Sequence, residues 1–156
     1  MASGVAEAAA SGEEARVATG DLRRPTRRQR KRIDAAVARA EAVTGLQLCI
    51  VLGTGEGDAR ARAEAVFVDA GLVARPAVLL LVDPKQHRVE VVTSQTAQER
   101  ISDAESARAV AAMTERFASG DLVGGLTEGV ARLAESAGPG VALPDATDVP
   151  NLFEDD

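Results

Sequence analysis

Ala77-Val78-Leu79-Leu80-Leu81-Val82 is a run of six apolar residues, and Asp83-Pro84-Lys85-Gln86-His87 separates it from Arg88-Val89-Glu90-Val91-Val92. Because the first run has no polar face, it predicts a strand covered on both sides, at the centre of a helix-flanked sheet. The second run alternates charged residues with valines and predicts an outer strand, with Arg88 expected to face water. Pro84 presets φ for a tight reversal, so the two strands are expected to form an antiparallel hairpin.

The segments around the hairpin predict a helix, a strand and a second helix before it, and two helices after it. Each helix follows a capping signal: Thr26 with Gln29, Asp58, Ser102 with Glu105, and Asp121. Leu46 to Leu52 is almost entirely apolar and predicts another buried strand. Because a strand–helix–strand crossover is right-handed, this strand and the one beginning at Ala77 are expected to be parallel.

The predicted fold is α/β, a three-layer α/β/α sandwich with a small mixed sheet, which combines the parallel crossover with the antiparallel hairpin, and four main helices. The third of these helices is expected to turn a defined set of side chains inward: Ala107, Val110, Ala111, Thr114 and Phe117. Residues 1–22 are predicted to be a disordered tail, 23–138 the folded domain, and 139–156 a flexible acidic tail.

Composition narrows the possible functions. The chain has 156 residues, a net charge of −6, and 2% aromatic residues without tryptophan or tyrosine. Few aromatic side chains and an acidic balance argue against nucleic acid as a partner for the whole protein. One cysteine allows no intramolecular disulfide. We find no signal peptide pattern and no membrane-length apolar run, and therefore expect a cytoplasmic protein. The preference for arginine and alanine indicates a GC-rich bacterial genome.

Several phrases between Thr26 and about Ala137 resemble the TPM domain superfamily, which includes thylakoid acid phosphatases and membrane-tethered bacterial proteins. The resemblance is strongest for an uncharacterised actinobacterial branch of that superfamily. The matching phrases are Val43-Thr44-Gly45 before Leu46-Gln47-Leu48-Cys49-Ile50-Val51, the strand Val78–Val82, Ile101-Ser102-Asp103, and Phe117-Ala118-Ser119-Gly120-Asp121-Leu122-Val123-Gly124-Gly125-Leu126.

This resemblance implies an α/β/α domain and, for members with an assigned activity, a metal-dependent phosphatase. Such members carry an acidic-Asn-Gly type phrase before the central strand, where this chain has Val73-Ala74-Arg75-Pro76. Asp103 matches an acidic family position. A single carboxylate beside an arginine is a poor site for a hard divalent cation, which takes several oxygen ligands. The sequence therefore predicts no metal site and no cofactor.

One end of the predicted sheet gathers a small polar cluster: Arg75, Thr93, Ser94, Ser102 and Asp103. A guanidinium, hydroxyls and a helix N-terminus are groups that hold a small anion. Asp103 would repel an anion or neutralise Arg75. A salt bridge accompanied by helix caps is therefore the alternative interpretation, because such surface pairs are common and weak.

The opposite end carries the loop Gly53-Thr54-Gly55-Glu56-Gly57 and Asp83. Its glycine spacing does not match a dinucleotide fingerprint, and the carboxylates of Glu56 and Asp58 would repel phosphate. Metal binding by Glu56, Asp58 and Asp83 is conceivable, although Asp58 already serves as a helix cap. The single histidine, His87, is predicted to be a solvated turn residue, and Cys49 a small core residue.

The run from Arg23 to Arg32 contains seven cations. Five of them lie on the first predicted helix and are candidate partner-binding residues: Arg27, Arg28, Arg30, Lys31 and Arg32. A patch of this kind would dock an acidic protein or another anionic partner. Alternatively, it would pair with the chain's own acids at residues 13–14 and 154–156. The C-terminal Asn151-Leu152-Phe153-Glu154-Asp155-Asp156, an apolar group followed by acids, is either a short partner-binding segment or a loose end.

No reaction can be derived from these residues. We predict a non-enzymatic protein-interaction module whose basic run contacts an acidic partner. A metal-dependent phosphatase with weak or lost activity is the alternative from another class, and a small-anion sensor using Arg75 and Ser94 is the third.

Overall fold

The computed structural model describes residues 24–140 and 151–153. Within them the elements follow the order α1 (Arg27–Thr44), β1 (Gln47–Leu52), α2 (Ala59–Asp69), a 3₁₀ turn (Leu72–Ala74), β2 (Ala77–Asp83), β3 (Arg88–Thr93), α3 (Gln95–Gln98), α4 (Asp103–Ala118), α5 (Leu122–Ala137) and β4 (Leu152–Phe153). The four main helices and three longer strands are those predicted. The 3₁₀ turn, the short helix α3 and strand β4 were not predicted. The predicted tail at residues 1–22 lies outside the described part of the chain.

The sheet has the strand order β3-β2-β1-β4. Strands β1 and β2 are parallel, and β2 and β3 form the antiparallel hairpin, with Leu80 opposite Val91. Every residue of β1 and β2 is buried, as an apolar run without a polar face requires. The mixed sheet predicted from the crossover and the hairpin is confirmed.

Helices cover both faces of this sheet. Successive side chains of a strand point to opposite faces, and the two core clusters divide accordingly. Leu48, Ile50 and Leu80 join the larger cluster with α1, α4 and α5. Cys49, Val51 and Leu81 join a smaller cluster with Phe67 of α2 and Leu72. The fold is therefore the three-layer α/β/α sandwich that the sequence predicts.

The capping signals of the sequence operate as expected. In α1, Thr26 accepts from the Gln29 backbone N–H at 3.1 Å while the Gln29 side chain accepts from the Thr26 N–H at 2.8 Å. Ser102 and Glu105 make the same reciprocal pair at the start of α4. Each pair satisfies N–H groups that have no partner within the first helical turn. The predicted starts of α1 and α4 are thus confirmed.

The inward face of α4 differs from the prediction. Its buried residues are Ser106, Ala109, Val110, Met113 and Phe117, whereas Ala107, Ala111 and Thr114 are partly or fully exposed. Opposite this face, α5 approaches through glycines. A Cβ at Gly125 would lie 2.3 Å from the Phe117 ring, and a Cβ at Gly129 would lie 2.4 Å from the Met113 sulfur. Close packing of the two helices therefore depends on the absence of side chains at these two positions.

Arg100 connects the ends of two helices. Its guanidinium donates to the carbonyl oxygens of Thr44 at 2.8 Å, Ala137 at 3.2 Å and Gly138 at 2.8 Å. The last carbonyl groups of a helix accept no hydrogen bond within the helix and carry partial negative charge. A cation near them therefore stabilises the helix end. One side chain thereby ties the end of α1 to the end of α5. The Gly140 N–H, which donates to the Val43 carbonyl at 2.9 Å, adds a further link.

Strand β4 lies beside β1, with Val51 opposite Leu152 and Leu52 opposite Phe153. The Asn151 side chain fixes it by accepting from the Ile50 N–H at 2.9 Å and donating to the Asp34 carboxylate at 2.8 Å. Within the segment predicted as a tail, these three residues therefore complete the sheet. Residues 141–150 and 154–156 lie outside the described part of the chain.

No helix among the described residues has both the length and the apolar character needed to span a membrane.

Candidate functional site

Two of the three hydroxyls in the predicted anion cluster, those of Ser94 and Ser102, accept hydrogen bonds from backbone N–H groups. Ser94 is completely buried, and its Oγ accepts from the N–H groups of Ala77 at 3.0 Å and Ala97 at 3.2 Å. Thr93 is also buried, and its hydroxyl has no hydrogen-bond partner among the described residues. Ser94 therefore joins β2 to the start of α3, and Thr93 lies in the interior rather than on an open surface.

The charged members of that cluster are separate. Asp103 accepts a hydrogen bond of 3.3 Å from the Gln98 side chain. Arg75 is half-buried at the end of the 3₁₀ turn, and its backbone N–H donates to the Leu72 carbonyl at 3.1 Å. Among the described residues no ion pair joins Arg75 to Asp103, so the salt bridge of the alternative interpretation is not formed there. Ser102 acts as the cap of α4, and the small-anion hypothesis stays a prediction.

The opposite sheet end is held by its own side chains. Asp83 is fully buried, and its carboxylate accepts from Arg62 at 2.7 Å and from the Gln86 N–H at 3.0 Å. The Gln86 side chain donates to the carbonyl oxygens of Gly55 and Gly57, each at 2.9 Å. The glycine loop is thus tied to the hairpin turn. Asp83, considered from the sequence as a metal ligand, instead neutralises a guanidinium.

The carboxylates do not assemble a metal centre in the described part of the chain. There, no group of three or more His, Cys, Asp or Glu side chains lies close enough to hold an ion. Asp58 accepts from the Ala61 N–H at 2.9 Å as the cap of α2, the role predicted for it. The donor set that the resemblance implies does not fit these residues, because Asp103 meets Gln98 instead of further carboxylates.

His87 and Cys49 take the positions predicted from the sequence. His87 is exposed in the hairpin turn with a φ of 55°, in the left-handed region. Cys49 is buried in β1, and burial, assisted by the negative charge of Glu41, raises the pKa of its thiol to about 11. Because the thiolate is the reactive form, this cysteine is poorly suited to nucleophilic chemistry near neutral pH.

The charged side of β3 corrects the prediction that Arg88 faces water. Glu90 is completely buried, and Arg88 donates to its Oε2 at 2.7 Å. Arg60 of α2 lies 3.5 Å from Glu90 Oε1, and its guanidinium also donates to the Val91 carbonyl at 3.2 Å. Helix α2 therefore covers this edge of the sheet with a charged network. An inward-pointing charge at an edge strand is a known protection against edge-to-edge association.

Burial raises the pKa of Glu90 above its ordinary value of 4.5, although the hydrogen bonds from Arg88 and the positive charges of Arg88 and Arg60 oppose the shift. Between 4.5 and the raised pKa, the folded chain binds more protons at Glu90 than the unfolded chain. Acidification through this window therefore increases the free energy of unfolding of the wild type, and a rise in pH removes that contribution.

We expect wild type to become more stable relative to Glu90→Gln as pH falls through this window. Urea titrations at several pH values measure it, and a pH-independent difference would contradict the assignment.

Four cations of α1 form an exposed surface, which we call the basic face: Arg27, Arg28, Lys31 and Arg32. None of their side chains has a hydrogen bond or ion pair to another residue in the described part of the chain. Arg30, the fifth candidate, differs because its guanidinium lies over the Phe153 ring at 5.4 Å. It therefore holds β4 against α1 through a cation–π contact.

A groove that the sequence analysis missed runs between α1 and α5. It encloses about 1120 Å³ and is lined by side chains from both helices together with Gly138 and Pro139. Many of the apolar side chains that line it are small, among them Ala35, Ala36 and Ala131. Arg32 of the basic face also lines it. The alanines of α1 and Val43 were the trace that this groove left in the sequence.

The protein is thus a three-layer α/β/α domain in which the described residues assemble no metal site and α1 presents exposed cations. The family model of the TPM domain matches residues 26–136. The chain belongs to the TPM domain family.

Two solved structures share the fold. The BA42 protein from the psychrophilic bacterium Bizionia argentinensis, solved by NMR, has a TM-score of 0.69 at 21% identity, over 80% of this chain and 90% of that one. The N-terminal domain of a P. gingivalis protein has a TM-score of 0.63 at 17% identity, over 75% of this chain and 78% of that one. No curated protein sequence matches the chain.

Proposed function

We propose that this TPM domain is a non-enzymatic protein-interaction module that binds an acidic partner through the basic face. The observation that carries the proposal is the exposure of Arg27, Arg28, Lys31 and Arg32, without ion pairs to other described residues. The acids at residues 13–14 and 154–156 lie outside the described part of the chain. The cytoplasmic compartment and the actinobacterial source stay predictions.

The placement of these cations is unfavourable for the helix itself. The N-terminus of α1 carries the positive end of the helix dipole, and the first turn contains no acidic residue. A cation there costs a few tenths of a kcal/mol, roughly the reverse of the 0.3–1 kcal/mol that an anion contributes. By contrast, α4 has Asp103 and Glu105 in its first turn. Residues that oppose local stability are most readily explained by a contact made elsewhere.

The net charge of −6 does not oppose this contact. At physiological salt the Debye length is about 8 Å, so a touching partner responds mainly to the nearest charges. A partner at the basic face meets four cations within two turns of one helix. Such charges increase association rates and specificity, and their effect decreases as salt rises.

We expect the variant with Arg27, Arg28, Lys31 and Arg32 changed to glutamine to lose retention on immobilised poly-glutamate while its melting temperature stays nearly unchanged. Arg30 is left intact because of its contact with Phe153. The control variant, Lys85→Gln with Arg108→Gln, removes exposed cations elsewhere and should elute close to wild type. Retention of the basic-face variant at the wild-type salt concentration would reject the proposal.

A further inference from the structure

The groove between α1 and α5 has the dimensions of a helix-binding site. It follows α1 from Arg32 to Val43, which is roughly 16 Å at 1.5 Å per residue, or three helical turns. Its lining includes Ala35, Ala36 and Ala131, small side chains that permit a third helix to approach closely. Val43, half exposed at 51%, supplies an apolar contact at the far end.

The two walls of the groove differ in charge. On α1, Arg32 and Arg39 lie seven residues apart, and neither has an ion pair to another residue in the described part of the chain. On α5, Glu128 is neutralised by Arg116 at 3.0 Å and Arg132 at 3.1 Å, whereas the exposed Glu135 has no ion pair to another described residue and leaves this wall with a negative charge. These two contacts lower the pKa of Glu128. The α1 wall therefore presents two available cations, separated by roughly 10 Å along the helix.

We propose that this groove binds an amphipathic helix of the partner, with small and aliphatic side chains on its inner face and acidic residues seven apart along the edge facing α1. The inference rests on the proposed function and specifies the docking element. An apolar inner face is required because alanines line the groove, and an acidic edge is required because Arg32 and Arg39 border it. Recognition of a helix in a groove through anchors spaced by whole turns is an established mode of binding.

The test uses the full chain and a synthetic peptide of about 18 residues, long enough to form a helix in water. The peptide is built of alanine, leucine and glutamine, with glutamates seven apart on one edge. The matched control peptide has lysine in place of each glutamate. We expect the acidic peptide to bind and to shift the amide NMR signals of α1 and α5, whereas the lysine peptide does not bind.

Ala131→Lys separates groove binding from charge attraction. Ala131 is exposed and lines the groove, so lysine adds a positive charge while filling the space. Pure charge attraction would increase peptide affinity, whereas a groove contact should lose about tenfold or more, equivalent to roughly 1.4 kcal/mol. Ala111→Lys makes the same change on the exposed side of α4, outside the groove, and should bind like wild type. Arg39→Gln should weaken binding without altering retention on poly-glutamate.

Three results would overturn the inference: no binding of the acidic peptide, equal binding of the lysine peptide, or unchanged binding to Ala131→Lys. If the groove proposal fails in one of these ways but the protein is still retained on poly-glutamate, the basic face remains the binding surface. The two proposals can therefore fail separately. Binding that appears only after Glu7, Glu13 and Glu14 are changed to glutamine would assign the groove to the chain's own amino-terminal residues. That result would also overturn the proposal of a partner helix.

Discussion

Arg62→Met is expected to destabilise the fold by about 3 kcal/mol, because it leaves the buried carboxylate of Asp83 without its cation. The Arg62 guanidinium lies 2.7 Å from this carboxylate and also donates to the Gly53 carbonyl at 3.4 Å. The Arg62 side chain is 21% exposed, whereas that of Asp83 is fully buried. Water therefore reaches one partner only, which places the loss near the lower end of the range for broken buried pairs.

Denaturant titrations of three variants measure this effect. Arg108→Met removes an exposed arginine from α4 and should change stability by under about 0.5 kcal/mol. Asp83→Asn added to Arg62→Met removes the unpaired charge and should recover part of the loss. If Arg62→Met and Arg108→Met had the same effect, the ion pair between α2 and β2 would not contribute as described.

Leu80→Ala is expected to cost about 2–5 kcal/mol, the largest effect expected from a single truncation, because it leaves a cavity inside the larger core cluster that the surrounding helices can fill only in part. Leu80 is 1% exposed and lies in the middle of β2, between β1 and β3. Its side chain belongs to the larger core cluster, under α1, α4 and α5.

The matched control is Val43→Ala, since Val43 is 51% exposed and its truncation should cost under about 0.5 kcal/mol. Both variants are compared by the midpoint and slope of urea unfolding. Equal losses would mean that β2 is not the covered central strand. A lower slope in Leu80→Ala would instead indicate a change in cooperativity.

Local signals were sufficient for most of the fold. The polar–apolar pattern of the central hairpin, the capping boxes at Thr26 and Ser102, and the apolar run of β1 all depend on residues close in sequence. The structure confirms each of them. The order β3-β2-β1 also follows from local rules, because a right-handed crossover and a tight turn leave few arrangements.

The predictions of burial are wrong where residues distant in sequence determine which side chains are covered. Glu90 resembles a surface residue in an alternating strand, yet Arg60, thirty positions earlier, lies over it and replaces water. In α4, six of the sixteen residues are alanines spread around the helix, so the pattern indicates several possible inward faces. The one observed is selected by Gly125 and Gly129 of α5.

In the candidate site, too, local features were predicted from the sequence and long-range contacts were not. The exposed cations of α1 were identified from sequence because charge is a property of each residue. Even there, the contact of Arg30 with Phe153 could not be foreseen, since it depends on β4 pairing with β1. The groove was missed because it is a shape formed by two helices that are far apart in sequence.

The Arg100 contacts have a consequence for recognition. Because one guanidinium bonds to the terminal carbonyls of both α1 and α5, the separation of the two helices at that end is set by the protein itself. Arg100 is half-buried, and its hydrogen bonds span 2.8 to 3.3 Å. A ligand entering between the helices thus meets a preorganised surface and need not offset the cost of separating or ordering them.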